Sequence, residues 1–211
     1  MRVFVAVELP DDVKFRLARL GDALRPQAKL VKLVAPELLH ITIRFLGNVE
    51  PSRLPAIERA AEAASSRVDR FALTIEGLGG YPSGHAPRVL WAGLRQDGGF
   101  ASLQRLHSEL ETALQTAGFE VVDRAFSAHI TLGRARDRIT PAERRVLGDA
   151  LREAQRQTSS LDSSFQVSAL TVMRSDLGPG GPRYTPIAVY PPRGSHAGEG
   201  RPSTVAGEAN E

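Results

Sequence analysis

The chain has 211 residues, 42% of them hydrophobic and 24% charged. That composition suits one large globular domain and excludes a mostly disordered or fibrous chain. There is no cysteine, which excludes disulfides, zinc–thiolate sites, iron–sulfur clusters and a thiol nucleophile, and fits a cytoplasmic location. The formal net charge is +3, and only three of the 27 cationic residues are lysine. Arginine excess suits bidentate binding of oxyanions, but a GC-rich genome is the simpler account of the overall bias. No targeting segment or membrane span is expected, because the first apolar run, residues 3–7, is short and is ended by Glu8 and Pro10.

In chain order, residues 2–9 read as a buried strand, and Pro10-Asp11-Asp12 opens a helix with Val13, Leu17, Leu20 and Leu24 on one face. Strands are expected at 30–34 and 39–46, and a helix at 52–66 with Leu54, Ile57, Ala61 and Ala64 inward. Another strand is expected at 71–78. The pattern then starts again. A strand at 88–95 precedes a helix at 100–117 with Leu103, Leu106, Leu110 and Leu114 on one stripe, ended by Gly118. Strands follow at 119–123 and 127–134. Thr140-Pro141-Ala142-Glu143 reads as a capping box with proline at the first helical position, starting a helix that reaches Gln157. Strands at 165–174 and 183–190 close the domain, joined by a Gly-Pro hairpin loop at 178–182. Residues 193–211 are rich in Gly, Ser and charge, so the folded domain is placed at 1–192 and the rest is read as a disordered tail.

Both halves therefore read β-α-β-β-α-β, at an offset of about 89 residues. The implied architecture is α+β and bilobal. It is an internal duplication in which each lobe is an antiparallel sheet with helices on its outer face, and the cleft lies between the lobes.

The duplication has a chemical counterpart. Leu39-His40-Ile41-Thr42-Ile43 and Ala128-His129-Ile130-Thr131-Leu132 share one pattern, and their histidines lie 89 residues apart. In a strand, residues two apart share a face. His40 and Thr42 then face away from the core, as do His129 and Thr131. A pseudo-twofold would bring two imidazoles and two hydroxyls into one cleft. One imidazole could remove a proton while the other delivers one, since histidine titrates near neutral pH. In-line displacement at phosphorus needs such groups on opposite sides, and the hydroxyls could hold charged oxygens. A single H-x-T reads more simply as a satisfied histidine beside a strand-forming threonine; two copies in register with an independent repeat do not.

The paired His40-Ile41-Thr42 and His129-Ile130-Thr131 segments resemble the signatures of the 2H phosphoesterase superfamily. With the flanks Arg2 to Pro10 (RVFVAVELP), HITIRFLG, RVLWAG, HITLGR and RSDLGPGGPRY, the chain is similar to the bacterial RNA 2′,3′-cyclic phosphodiesterases, or 2′-5′ RNA ligase-like proteins. That resemblance implies hydrolysis of RNA 2′,3′-cyclic phosphate ends, or of a cyclic nucleotide, to a 2′-phosphomonoester without a metal or other cofactor. It implies His40 as general acid, His129 as general base, and Thr42, Thr131 and Arg134 as phosphate-binding residues. Leu33 stands where relatives often carry Trp, and Leu38 where a polar residue is common. The alternatives are 2′-5′ ligation by the reverse reaction and a non-catalytic RNA-binding module. A monomer with no obligate protein partner is expected, since one chain supplies both motifs.

The other residues read more plainly. Arg44 follows Thr42 by two and falls on the cleft face, to steer phosphate or simply to end a solvated strand. Phe45 and Trp91 read as core, and Tyr184 as a weak stacking candidate. His85 and His196 read as solvated and His107 as a boundary residue. No histidine has metal-ligand spacing.

Overall fold

A computed structural model of the protein describes residues 1–121, 125–157, 163–179 and 181–194. Its elements, in chain order, are β1 (Arg2–Glu8), α1 (Asp11–Ala23), β2 (Val31–Leu33), β3 (His40–Asn48), α2 (Leu54–Ser66), β4 (Ala72–Tyr81), β5 (Val89–Leu94), α3 (Gly98–Thr116), β6 (Ile130–Ala135), α4 (Pro141–Gln157), β7 (Ser163–Gln166), β8 (Leu170–Gly178) and β9 (Gly181–Tyr190). No helix among the described residues is long and apolar enough to cross a membrane.

Local chemistry accounts for the helices. Val13, Leu17, Leu20 and Leu24 are all buried, as the spacing of α1 requires. Asp97 caps α3 by accepting from Gly99 N (3.0 Å) and Phe100 N (3.1 Å). Gly118, at φ +76°, ends it in the left-handed conformation that glycine adopts without penalty. The stripe between them, Leu103, Leu106, Leu110 and Leu114, is buried, and truncating a side chain such as Leu110 to Ala would cost roughly 2–5 kcal/mol. The box at α4 is reciprocal: Thr140 N donates to Glu143 Oε2 (2.7 Å) and Glu143 N to Thr140 Oγ1 (3.2 Å).

The strands pair antiparallel in the order β7-β4-β5-β6-β3-β1-β8-β9, with β2 on the free part of β6. β3 and β6 meet through a single residue pair, Ile41 with Ile130. The sheet therefore divides there into one lobe of β3, β1, β8 and β9 and another of β7, β4, β5, β6 and β2. The lobes are not the two sequence halves. β2 and β4 come from the first half and join the second lobe, while β8 and β9 do the reverse. The helices cross over as well: α1 packs on β6 and α4, α4 on β4, and α2 on β8, β9 and α3.

Two expectations need correction. Residues 119–121 form no strand. Phe119 instead lies under the Arg53 guanidinium, 3.8 Å from its ring centroid, and the Glu120 carbonyl accepts from Arg44 Nη2 at 2.6 Å, so side chains satisfy this segment in place of a ladder. Residues 122–124 lie outside the described set. The single strand expected at 165–174 is two, because β7 pairs with β4 in one lobe and β8 with β1 in the other. Gly178, Gly181 and Pro182, expected in the hairpin loop, belong to the strands, with Gly178 paired to Gly181 and Leu177 to Pro182. At the C-terminal end, Arg193 N donates to Val68 O (2.8 Å) and its guanidinium grips Asp69. Residues 195–211, including His196, lie outside the described set.

Candidate active site

The pair that joins the lobes, Ile41 with Ile130, is itself 89 residues apart, so the pseudo-twofold of the duplication passes between β3 and β6. Antiparallel register extended from that pair would set residue 40 opposite 131 and residue 42 opposite 129. Continued in register, that pairing would make the two histidines diagonal neighbours, with Cβ atoms within about 7–8 Å. Ile41 and Ile130 are fully buried, which leaves the polar face to the cleft.

Beyond the motifs, strict alternation fails in both strands at the same place. β1 pairs Ala6 with Thr42 and Val5 with Arg44, skipping Ile43. β5 pairs Trp91 with Thr131 and Leu90 with Gly133, skipping Leu132. These bulges are again 89 residues apart, and each turns the following residues to the opposite face. Arg44 therefore points inward and is only 7% exposed. Its Nη1 lies 3.4 Å from Glu111 on α3. Phe45 moves the other way, is 48% exposed and lines the cleft. Both expectations were reversed by one inserted residue. The equivalent bulge carries Arg134, the counterpart of Phe45, into the same cleft.

The two rings are held alike. His40 Nδ1 donates to Leu38 O and His129 Nδ1 to Ser127 O, each at 2.8 Å. A carbonyl only accepts, so Nδ1 carries the proton in both rings and Nε2 is left to react. His40 Nε2 lies 2.9 Å from Thr42 Oγ1. Burial lowers the pKa of His40 below 6.5, opposed by the Leu38 carbonyl and reinforced by the nearby His129.

Their walls differ. Phe4 and Tyr184 lie with ring centroids 5.0 and 5.3 Å from His40. Tyr81 and Trp91 lie 5.2 and 6.3 Å from His129. A cavity of about 430 Å³ opens beside His40, lined also by Thr42, Thr131, Arg134, Phe45 and Tyr184. Leu33 and Leu38 line it too. A second cavity, about 460 Å³, lies by Tyr81, Trp91 and Ser127, so Trp91 is a half-buried wall residue rather than core. Among the described residues no group of three His, Cys, Asp or Glu side chains is arranged to hold a metal ion.

Sequence reasoning gave no role to Tyr81 and Ser127, whose hydroxyls meet at 2.6 Å beside His129. The signal that could have found Ser127 is its position two residues before His129, where Leu38 stands before His40. His107, expected at the boundary, stacks on Phe126 (4.1 Å, 9°) and steadies the same segment. Burial, with Arg44 nearby, lowers its pKa, so its 3.7 Å approach to Glu111 is a contact with neutral imidazole at pH 7. His85 is exposed and meets Arg152 Nη1 at 3.0 Å.

Comparison with known proteins agrees with this fold. Residues 7–91 and 95–184 match the family model described as LigT like Phosphoesterase. The chain is 32% identical over 190 residues to the RNA 2′,3′-cyclic phosphodiesterase of Methanothermobacter thermautotrophicus, covering 90% of this chain and 98% of that one. It is 35% identical over 171 residues to the Aeropyrum pernix protein of the same name, covering 80% and 90%. The likeness thus extends beyond bacteria. Among solved structures, E. coli LigT complexed with 3′-AMP superposes with a TM-score of 0.70 at 26% identity, over 91% of this chain and 98% of that one. Two matched segments spanning both motifs, and relatives aligned over nearly their whole length, place this chain in the LigT-like family of 2H phosphoesterases.

Proposed function

We propose that this phosphoesterase hydrolyses the 2′,3′-cyclic phosphate at the end of an RNA strand to a 2′-phosphomonoester, with no metal required. The substrate is the one that the names of its relatives carry. His129 Nε2 takes a proton from water as the oxygen attacks phosphorus. The P–O3′ bond breaks, and protonated His40 Nε2 gives its proton to the departing 3′ oxygen. Thr42, Thr131 and Arg134 hold the non-bridging oxygens, whose charge rises in the transition state.

The observation that carries this reading is that the strands of the two motifs meet at Ile41 and Ile130, with both histidines held through Nδ1 so that each Nε2 is free to react. Cavity asymmetry supports the division of roles. In-line attack puts the leaving 3′ oxygen, and the nucleoside attached to it, on the side away from water. The cavity lined by His40 has nucleoside dimensions and aromatic walls, which favours His40 as the acid. A single chain supplies every one of these groups, so it acts as a monomer.

The test is incubation of a 2′,3′-cyclic-phosphate oligonucleotide in excess EDTA, with the product phosphate located by NMR. A 2′-phosphate is expected. A 3′-phosphate would reverse the leaving group, and absence of turnover would overturn the reading.

A further inference from the structure

Net positive charge gathers in one cavity of the three around the site. The cavity beside His40 is lined by three cations, Arg2, Lys32 and Arg134, and by no carboxylate. The cavity beyond Tyr184 sets Lys14 and Arg183 against Glu8 and Glu37. The cavity near His129 has Glu76 as its one charged lining residue. A polyanionic strand would therefore leave the reacting centre through the first.

Two of those cations are placed at a cost. Lys32 on β2 is paired in register with Arg134 on β6, and both line the cavity. Like charges directly opposite each other repel, and among the described residues neither side chain has an ion-pair partner assigned. An anion between or above them relieves that repulsion. Arg134 can reach back from its strand to the reacting phosphate, whereas Lys32, on the neighbouring strand, lies further out beside Gly181 of the β8–β9 hairpin. Arg2 lies on the same wall, its guanidinium 4.8 Å from the ring of Phe45.

We infer that Lys32, seconded by Arg2, binds the phosphate on the 5′ side of the terminal nucleotide, and that this contact makes the enzyme prefer RNA strands to free cyclic nucleotides. The inference rests on the hydrolysis proposed above and names its substrate class. A cyclic mononucleotide fills the reacting centre but has no phosphate to place at Lys32.

The experiment compares kcat/KM for 2′,3′-cyclic AMP and for a dinucleotide ending in the same cyclic adenosine, in the wild type, Lys32→Gln and Lys32→Arg. A third substrate replaces the internal phosphate of the dinucleotide with a neutral methylphosphonate. Wild type should favour the charged dinucleotide by about tenfold, the worth of one charge-assisted contact. The ratio should fall toward one in Lys32→Gln, or with the methylphosphonate, and be kept in Lys32→Arg. Wild-type turnover of both substrates with no preference, or a preference that survives Lys32→Gln, overturns this inference alone. Turnover of neither substrate overturns the hydrolysis reading beneath it.

Discussion

β3 and β6 offer the cleft the same backbone. Each carries a histidine and a threonine on one face, a carbonyl two residues earlier that fixes the ring tautomer, and a bulge one residue after the threonine. What surrounds them differs. His40 is packed by Phe4 and Tyr184 beside a cationic cavity. Arg44, His107 and Tyr81 brace residues 120, 126 and 127 ahead of His129, which faces Trp91. The duplicated backbone supplies a matched pair of histidines, and the unmatched walls would let the proposed acid and base take different roles. Symmetry alone would give two equivalent imidazoles and no direction to the reaction.

The sharpest way to break the comparison is to remove one ring at a time. His40→Ala and His129→Ala should each lower kcat by roughly 10²–10⁴-fold. They should part on a substrate whose leaving group has a low pKa, which needs no protonation: that substrate should partly rescue His40→Ala and leave His129→Ala inactive. Equal rescue of both would dissolve the assigned roles.

Next in size is the brace. Arg44 and Glu111 form an ion pair in which the arginine is nearly buried and the carboxylate about one-fifth exposed. Glu111 Oε1 and Arg44 Nε find no hydrogen-bond partner, and burial raises the pKa of Glu111 against the pull of Arg44. Arg44→Leu should destabilise the fold by about 2–3 kcal/mol, less than a fully buried pair would lose. It should also free the Glu120 carbonyl, so kcat should drop at temperatures where the fold persists. Urea denaturation and steady-state rates check the two effects separately.

Smaller is Tyr81→Phe, which removes one hydrogen bond to Ser127, worth about 1 kcal/mol. If this bond steadies the carbonyl behind His129, kcat should fall several-fold with KM little changed. A change in stability alone would confine Tyr81 to packing.

The finest effect is one of pH. Burial depresses the pKa of His40 below 6.5, and an acid works only while protonated. The alkaline limb of kcat/KM, which reports the free enzyme, should therefore fall as pH rises through a value under 6.5. Bound cyclic phosphate is an anion and favours the imidazolium, so the same limb in kcat should lie higher. Coincident limbs would argue that His40 does not carry the catalytic proton.

Much of this was written locally. The stripes of α1 and α3, the Asp97 and Thr140 caps and the glycine stop at Gly118 depend on residues within a few positions of one another, and so does the alternation that turns His40 and Thr42, or His129 and Thr131, to one face. The 89-residue offset is also a property of the linear chain, and with it the expectation of a paired site. Bulges and strand partners depend on neighbours far along the chain. No pattern in residues 40–48 announces the extra residue at Ile43, because β1 imposes it; it sent Arg44 inward and Phe45 outward, against a strict two-residue period. The exchange of β2, β4, β8 and β9 between lobes arises in the same way. Each strand must satisfy its backbone against whichever edge the packed core leaves open, and only the folded chain settles which edge that is.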